Sequence, residues 1–466
     1  MPKFAKRFLF VCAVLLVAAA VILLCINIYL QSSGVQQRIR TAASRSLGAE
    51  ISVGSTSYTP WSGLVLREIK IPEPGSPDRM LVEATALRLR FALFPLFGQR
   101  FVVTECSLFE PKLTVRQQPT GDWLVPLPPA RTQEISVTPS GDAAPSSSTI
   151  KGPSFKAELQ FFRLAGATLS FVDAKGHLIL FAERCDIEAY IDKNLSATGS
   201  FEVGRMEIQG ALKPRRISGP FTWDGKALDL SEIKGQLAGG EILGKCRVET
   251  GETSTFDLNL QLNQILLKRL FSDANLSPGK TDGQLNGTLS LKGDPKTSDS
   301  LEGTGHVALV NAKLRPVEFL SKIGEVLGID ELRLLQLKDA NIDLVVHDER
   351  VQVSGTLTSE NLQLTGAGPI RFNGKMNIDA KLRVNRKIQA QLQGLLSHNF
   401  VATDDPEYRQ VTFSVTGKID NPKTDLVDKV IGINTQDVGG LLKSFFRSSP
   451  APKKTNDTPA PQPSNN

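Results

Sequence analysis

The sequence predicts a mainly β protein: one N-terminal transmembrane helix, then an antiparallel sheet that is apolar on one face only, with a few short helices. Three observations carry this. Residues 8–30 (FLFVCAVLLVAAAVILLCINIYL) hold no charge and one strongly polar side chain, Asn27. From Ile51 onward, apolar and polar residues alternate in short runs. Asn-Gly and Asp-Gly pairs punctuate those runs.

A helix rises about 1.5 Å per residue, so 8–30 is long enough to cross a hydrocarbon core of about 30 Å. Lys3, Lys6 and Arg7 precede it. That charge bias places residues 1–7 in the cytoplasm and the body across the membrane. Arg38, Arg40 and Arg45 follow the segment, but long domains translocate largely regardless of such charges. A cleaved signal peptide would carry a shorter apolar run, about 7–15 residues, and no small-x-small site follows Leu30. Beyond the membrane, Val35, Ile39, Ala43 and Leu47 stand at four-residue steps before Gly48, which predicts a short amphipathic helix.

The alternation is clearest in three runs. Phe256, Leu258, Leu260 and Leu262 are interleaved with Asp257, Asn259 and Gln261. Met376, Ile378, Ala380, Leu382 and Val384 are interleaved with Asn377, Asp379, Lys381 and Arg383. Val411, Phe413 and Val415 repeat the pattern. A period of two puts the apolar set on one face and the polar set on the other, as in an antiparallel sheet wet on one side. Asp282-Gly283, Asn286-Gly287 and Asn373-Gly374 suit hairpin turns. Helices are expected at 316–327, where Pro316 precedes Phe319, Leu320, Ile323, Val326 and Leu327, and at 264–271 and 387–396. The run 441–447 (LLKSFFR) reads either as a membrane-interface helix or as a packed terminal one.

These features divide the chain into a cytoplasmic N-terminus 1–7, the membrane helix 8–30, an N-terminal β region 31–125, central β repeats 154–300, a C-terminal β repeat with helix 301–430 and an amphipathic terminal helix 431–447. The stretch 126–153 is rich in Pro, Ser, Thr, Ala and Gly without apolar periodicity, and is expected to be a disordered insertion. The tail 448–466 has the same character.

A one-sided sheet has to cover its apolar face. One arrangement folds the sheet into a closed core. The other is an elongated, curled sheet whose inner face is an open greasy groove, suited to acyl chains because hydrophobic burial is non-directional and needs few polar contacts. Periodicity is the same in both. In the open arrangement the candidate lipid-facing residues are Leu258, Leu260, Leu262, Met376, Ile378, Leu382, Val384, Val411 and Phe413.

Other chemistry finds little support. The net charge of +6 is spread over 466 residues, with acids interleaved among bases, so no nucleic-acid stripe is present. The five cysteines include Cys12 and Cys25 in the apolar run and the scattered Cys106, Cys185 and Cys246; neither a disulfide framework nor a zinc site is indicated. His177, His306, His347 and His398 lie far apart. Residues 274–281 (ANLSPGKT) fit a loose phosphate-loop pattern, but Pro278 sits within it and Asp282-Gly283 follows, so a polar turn is expected. Asp404-Asp405 is read as a solvated loop, and Lys213-Pro214-Arg215-Arg216 as a solvated turn. No GxSxG elbow occurs. The expectation is a non-enzymatic protein without cofactor or metal.

Several segments resemble the AsmA-like family in order. Residues 59–72 (TPWSGLVLREIKIP), with Trp61, Gly63, Leu64, Leu66, Glu68 and Ile69, are similar to its early turn and strand pair. Residues 87–98 (LRLRFALFPLFG), then Glu110, Pro111, Leu113, Gly121 and Trp123, resemble the strands that follow. Residues 223–244, with Gly239, Gly240 and Gly244, and residues 303–384 resemble its repeats, and 413–423 (FSVTGKIDNPK) its closing element. The resemblance implies an inner-membrane anchor and a periplasmic repeating β-groove, in a wider group that includes TamB-like proteins and is associated with phospholipid movement. The implied partners are phospholipids or other membrane lipids, the inner membrane and envelope proteins. The alternative is a scaffold that influences outer-membrane protein assembly without binding lipid.

Overall fold

The structure is a computed structural model. It describes Tyr29, Ser32, Gly34, Gln37 and Thr41, then residues 51–124, 156–314, 335–391 and 399–431, with breaks at 60, 74–75, 93–99, 121–122, 252–253, 276–280, 295–296 and 420. The expected membrane segment 8–30 apart from Tyr29, the insertion 126–153, the helices at 316–327 and 441–447 and the tail 448–466 lie outside these residues. Among the described residues no helix is long and apolar enough to cross a membrane. Of the helix expected at 35–47, Gln37 and Thr41 are described and helical, and Thr41 Oγ1 donates to the Gln37 carbonyl at 2.8 Å.

The described chain is mainly β and divides into two compact units. The first comprises Met1–Arg315 and Gln336–Gln352, the second Pro316–Leu335 and Val353–Asn466. The first unit begins with β1 (Ser52–Thr59), β2 (Gly63–Glu73), β3 (Ser76–Phe91), β4 (Arg100–Phe109), β5 (Lys112–Gln117), β6 (Trp123–Leu124) and β7 (Lys156–Leu159). A meander follows with β8 (Phe161–Val172), β9 (Leu178–Ile191), β10 (Ala197–Ile208), β11 (Arg215–Trp223), β12 (Ala227–Leu237), β13 (Gly240–Glu249) and β14 (Thr255–Leu266). Helix α1 (Leu267–Asp273) interrupts it before β15 (Asp282–Gly293), β16 (Glu302–Leu314) and β17 (Leu335–His347). From β8 to β16, each strand pairs antiparallel with the next.

The sheet of the first unit is not purely antiparallel, contrary to expectation. β4 runs parallel to β7 and β8, and β5 runs parallel to β8. Parallel neighbours need a connection of a dozen or more residues, and the stretch between Leu124 and Lys156 supplies that length. Two hairpin expectations also change. Asn286 and Gly287 lie inside β15, opposite Ala308 and Val307, and Gly283 (φ +111°) sits at a register shift near the strand's start. Asn373-Gly374 is the expected turn, with Gly374 at φ +80° and its N–H donating to the Arg371 carbonyl at 2.8 Å.

The helix expected at 264–271 starts later, because Ile265 and Leu266 pair with Leu285 and Gln284 and so extend β14. Gln264 takes a left-handed conformation (φ 54°) at the register shift, and its N–H donates to Asn286 Oδ1 at 2.8 Å. That bulge re-aims the chain and lets α1 fold back on β14 and β15.

The first unit's buried apolar groups form several small clusters. One joins Ile51, Val53, Ile69 and Ala84. Another joins Leu164, Ala167, Ala182 and Cys185. A third joins Leu237, Ala238 and Ile265, with Leu262, Leu270 and Leu285 packed against it beside α1.

In the second unit, β18 (Arg350–Ser359) spans the division. It is followed by β19 (Leu362–Arg371), β20 (Lys375–Asn385), helix α2 (Arg386–Gln391), β21 (Val401–Ala402), β22 (Tyr408–Lys418), β23 (Asn421–Thr424) and helix α3 (Leu426–Ile431). The expected helix at 387–396 corresponds to α2, with 392–396 outside the described residues. α2 packs on β20 and β22, and α3 on β22. Ile388, Leu426 and Val430 are each fully buried there.

Candidate functional site

The pairing registers of β11–β16 sort side chains into two faces, because directly opposed residues in an antiparallel pair point the same way. On one face, Trp223 lies opposite Leu228, Leu228 opposite Val248, and Val248 opposite Phe256. The next row joins Leu230, Cys246, Leu258, Leu291 and Gly303. Two further rows contain Gly244, Leu260, Leu289 and Gly305, and then Ile242, Leu262, Gly287 and Val307.

The opposite face carries the charges. Asp229, Arg247, Asp257, Lys292 and Glu302 lie in one row and alternate in sign. Arg247 meets Asp229 at 3.4 Å and Lys292 meets Glu302 at 3.1 Å. Such exposed pairs each contribute little, about 0–1 kcal/mol, but opposite charges in register disfavour a slipped pairing. The two faces therefore differ in character: the first is apolar, and the second is mostly polar, with Leu243 and Val310 as apolar exceptions.

Every large apolar side chain of those four rows remains half-buried. None reaches the fully buried state of Ile265, which lies further along the same strand beside α1. Among the described residues, no second layer closes over Leu258, Leu260, Leu289 and Leu291. At one end the strip meets the cluster beside α1, and among the described residues the rest of its large apolar side chains stay half-buried.

Glycines on this surface lie tightly against their neighbours. A Cβ at Gly303 would stand 2.2 Å from the Ser290 carbonyl oxygen and 2.6 Å from Leu291 Cδ2, and one at Gly244 would stand 2.6 Å from Leu260 Cδ2. Neighbouring backbone and leucines thus occupy the space a larger residue would need.

The expected site residues fall into two groups. Leu258, Leu260 and Leu262 lie on the uncovered strip of the first unit. In the second unit, Met376 and Ile378 are half-buried on β20, with Ile378 opposite Val415. Leu382, Val384, Val411 and Phe413 are instead core, exposed by 1%, 0%, 4% and 3%. Leu382 lies opposite both Leu364 and Val411, and α2 packs on β20 and β22 and α3 on β22. Alternation is identical on the covered and uncovered parts of β20, so the sequence did not separate them. Trp223, Leu228, Leu230, Ile242, Val248, Leu289 and Leu291 belong with the first group and were not singled out; the short alternations at 228–230 and 289–291 are the signal for them.

Among the described residues, the titratable groups on and around this surface are dispersed. Cys246 is half-buried in the second row, and burial, with Asp257 and Asp229 nearby, pushes its thiol pKa up. Burial also raises Cys106, beside Glu105, and takes Cys185, beside Asp186, to about 11. Asp173 is held below the usual carboxylate range, first by the His177 backbone N–H and then by that residue's ring. His306 pairs with Asp343 at 2.7 Å and His347 with Asp348 at 3.0 Å, on exposed surface. Asp405 accepts the Glu407 N–H at 2.9 Å in an exposed turn. Arg216 lines a polar cleft of about 700 Å³ with Lys234, Gln236, Glu241 and Asn263. Among the described residues, no group of three or more His, Cys, Asp or Glu is placed to hold a metal.

No protein-family profile matches the chain, and no curated protein or solved structure is significantly similar to it.

Proposed function

We propose that this chain is a non-enzymatic envelope protein that holds lipid acyl chains along the apolar strip of β11–β16 and so aids phospholipid transfer or outer-membrane biogenesis. The observation that carries this reading is the uncovered set Leu258, Leu260, Leu289 and Leu291, whose reverse face is mostly polar. A large contiguous apolar surface of this kind signals a binding site. Each methylene removed from water contributes up to about 0.8 kcal/mol, so an acyl chain lying across the leucine rows gains affinity without a directional contact. Six strands at about 4.8 Å spacing give a strip roughly 24 Å wide across the strands. One acyl chain is about half of a 30 Å hydrocarbon core, so the strip is long enough for one to lie across the strands.

In this reading residues 8–30 cross the inner membrane once, residues 1–7 stay in the cytoplasm and the body lies in the periplasm. The AsmA-like resemblance supports the same placement. The test is native mass spectrometry of the gently purified full chain, with extraction of bound lipid. Stoichiometric phospholipid on folded protein is the expected result, and a folded chain that stays lipid-free after incubation with liposomes contradicts it.

A second reading is an assembly scaffold that contacts envelope proteins and binds no lipid. The closed core around Leu382, Val384, Val411 and Phe413 favours it for the second unit. Crosslinking to envelope proteins together with an empty strip would support that reading for the whole chain.

A further inference from the structure

Two turns at one end of the second unit's sheet lie side by side. The turn between β19 and β20 contains Phe372, Asn373 and Gly374, and the turn after β22 contains Ile419. The Ile419 N–H donates to the Gly374 carbonyl at 3.0 Å and fixes them together. Their apolar side chains point into water: Phe372 is 44% exposed and Ile419 59% exposed.

Cations surround this pair. Lys375 lies directly opposite Lys418, and Lys423 opposite Thr416 on the adjacent strand. Arg371 follows Ile370, which pairs with Met376, so it shares the face of Lys375. All four are exposed, and among the described residues none of them meets a carboxylate. Like charges directly opposite one another repel, as Lys375 and Lys418 do here. The stretches 371–375 and 418–423 carry four cations, Arg371, Lys375, Lys418 and Lys423, against one acid, Asp420. Hydrophobic tips framed by such a cationic excess match a lipid surface that offers anionic headgroups above and hydrocarbon below.

We propose that this double turn is a membrane-docking tip, in which Phe372 and Ile419 enter the headgroup boundary of an anionic bilayer while Arg371, Lys375, Lys418 and Lys423 hold its headgroups. The inference is independent of the apolar strip, which lies in the first unit.

The test uses the full chain held in a phosphatidylcholine nanodisc, so that its apolar N-terminal run is already accommodated. Vesicles of phosphatidylcholine with about 30% phosphatidylglycerol are added and floated. The nanodisc-held chain is expected to float with these vesicles at about 0.1 M salt, and to be released as salt screens the charges. Vesicles of phosphatidylcholine alone should carry at least tenfold less. Each of Lys375→Gln and Lys418→Gln should weaken binding about fivefold, and Phe372→Ser with Ile419→Ser should abolish it with unchanged circular dichroism. Binding that ignores lipid charge, or that survives the Phe372→Ser/Ile419→Ser pair, overturns the proposal. So does capture of an acidic protein by the tip with no vesicle binding.

Discussion

Cys246 on β13 lies directly opposite Leu258 on β14, and both side chains are half-buried on the uncharged face of the sheet. A native thiol thus stands inside the surface proposed to hold acyl chains. An uncharged maleimide should modify Cys246 in the folded chain, while Cys185, 3% exposed, should react only after unfolding. The thiolate is the nucleophile and the pKa of Cys246 is raised, so its rate should climb about tenfold per pH unit up to pH 9. Added phospholipid should slow it. Peptide mapping distinguishes the two sites, and equal protection of both would mean that the strip is covered.

Carboxylates introduced into the two groups of expected site residues should behave differently. Leu382→Asp and Phe413→Asp bury an unpaired charge in a closed core and should cost several kcal/mol, about 3–5, enough to unfold the second unit. Leu258→Asp leaves its carboxylate in reach of water and should cost about 1 kcal/mol. Urea denaturation followed by circular dichroism checks the contrast.

Two glycines in β16 make a matched pair. Gly303→Ala drives a methyl against the Ser290 carbonyl at 2.2 Å and should destabilise by about 1–3 kcal/mol. Gly305→Ala meets its nearest neighbour at 3.3 Å and should cost less than about 1 kcal/mol. Equal losses in denaturation would contradict the close approach of the Ser290 carbonyl to Gly303.

Cys185 supplies a pH dependence. Burial, with Asp186 beside it, pushes its thiol up to about 11 in the folded chain, against about 9 for an exposed thiol. Between these values the unfolded chain has lost a proton that the folded chain retains, so stability should fall as pH rises from 9 to 11. Below pH 9 the group contributes no slope. Denaturation of wild type and Cys185→Ala across this range should show a steeper decline in the wild type.

The face assignment was legible in the sequence because strand alternation has a period of two whatever lies above the strand. Leu258, Leu260 and Leu262 share a face in the structure as their spacing requires. What covers a face depends on distant residues. The closure of Leu382 and Val411 by α2 and α3 was therefore not visible, nor was the parallel pairing of β5 with β8, which joins residues separated by the long 125–155 connection. Asn286-Gly287 misled for a related reason: a turn-forming dipeptide was overridden by strand partners on both sides.

The most direct measurement is lipid retention by Leu258→Asp and Leu260→Asp in the full chain, read by native mass spectrometry beside the wild type. The account predicts that the wild type carries phospholipid while both variants remain folded and lose most of it. Folded variants that retain wild-type lipid would place the acyl chains elsewhere and contradict the assignment of this strip.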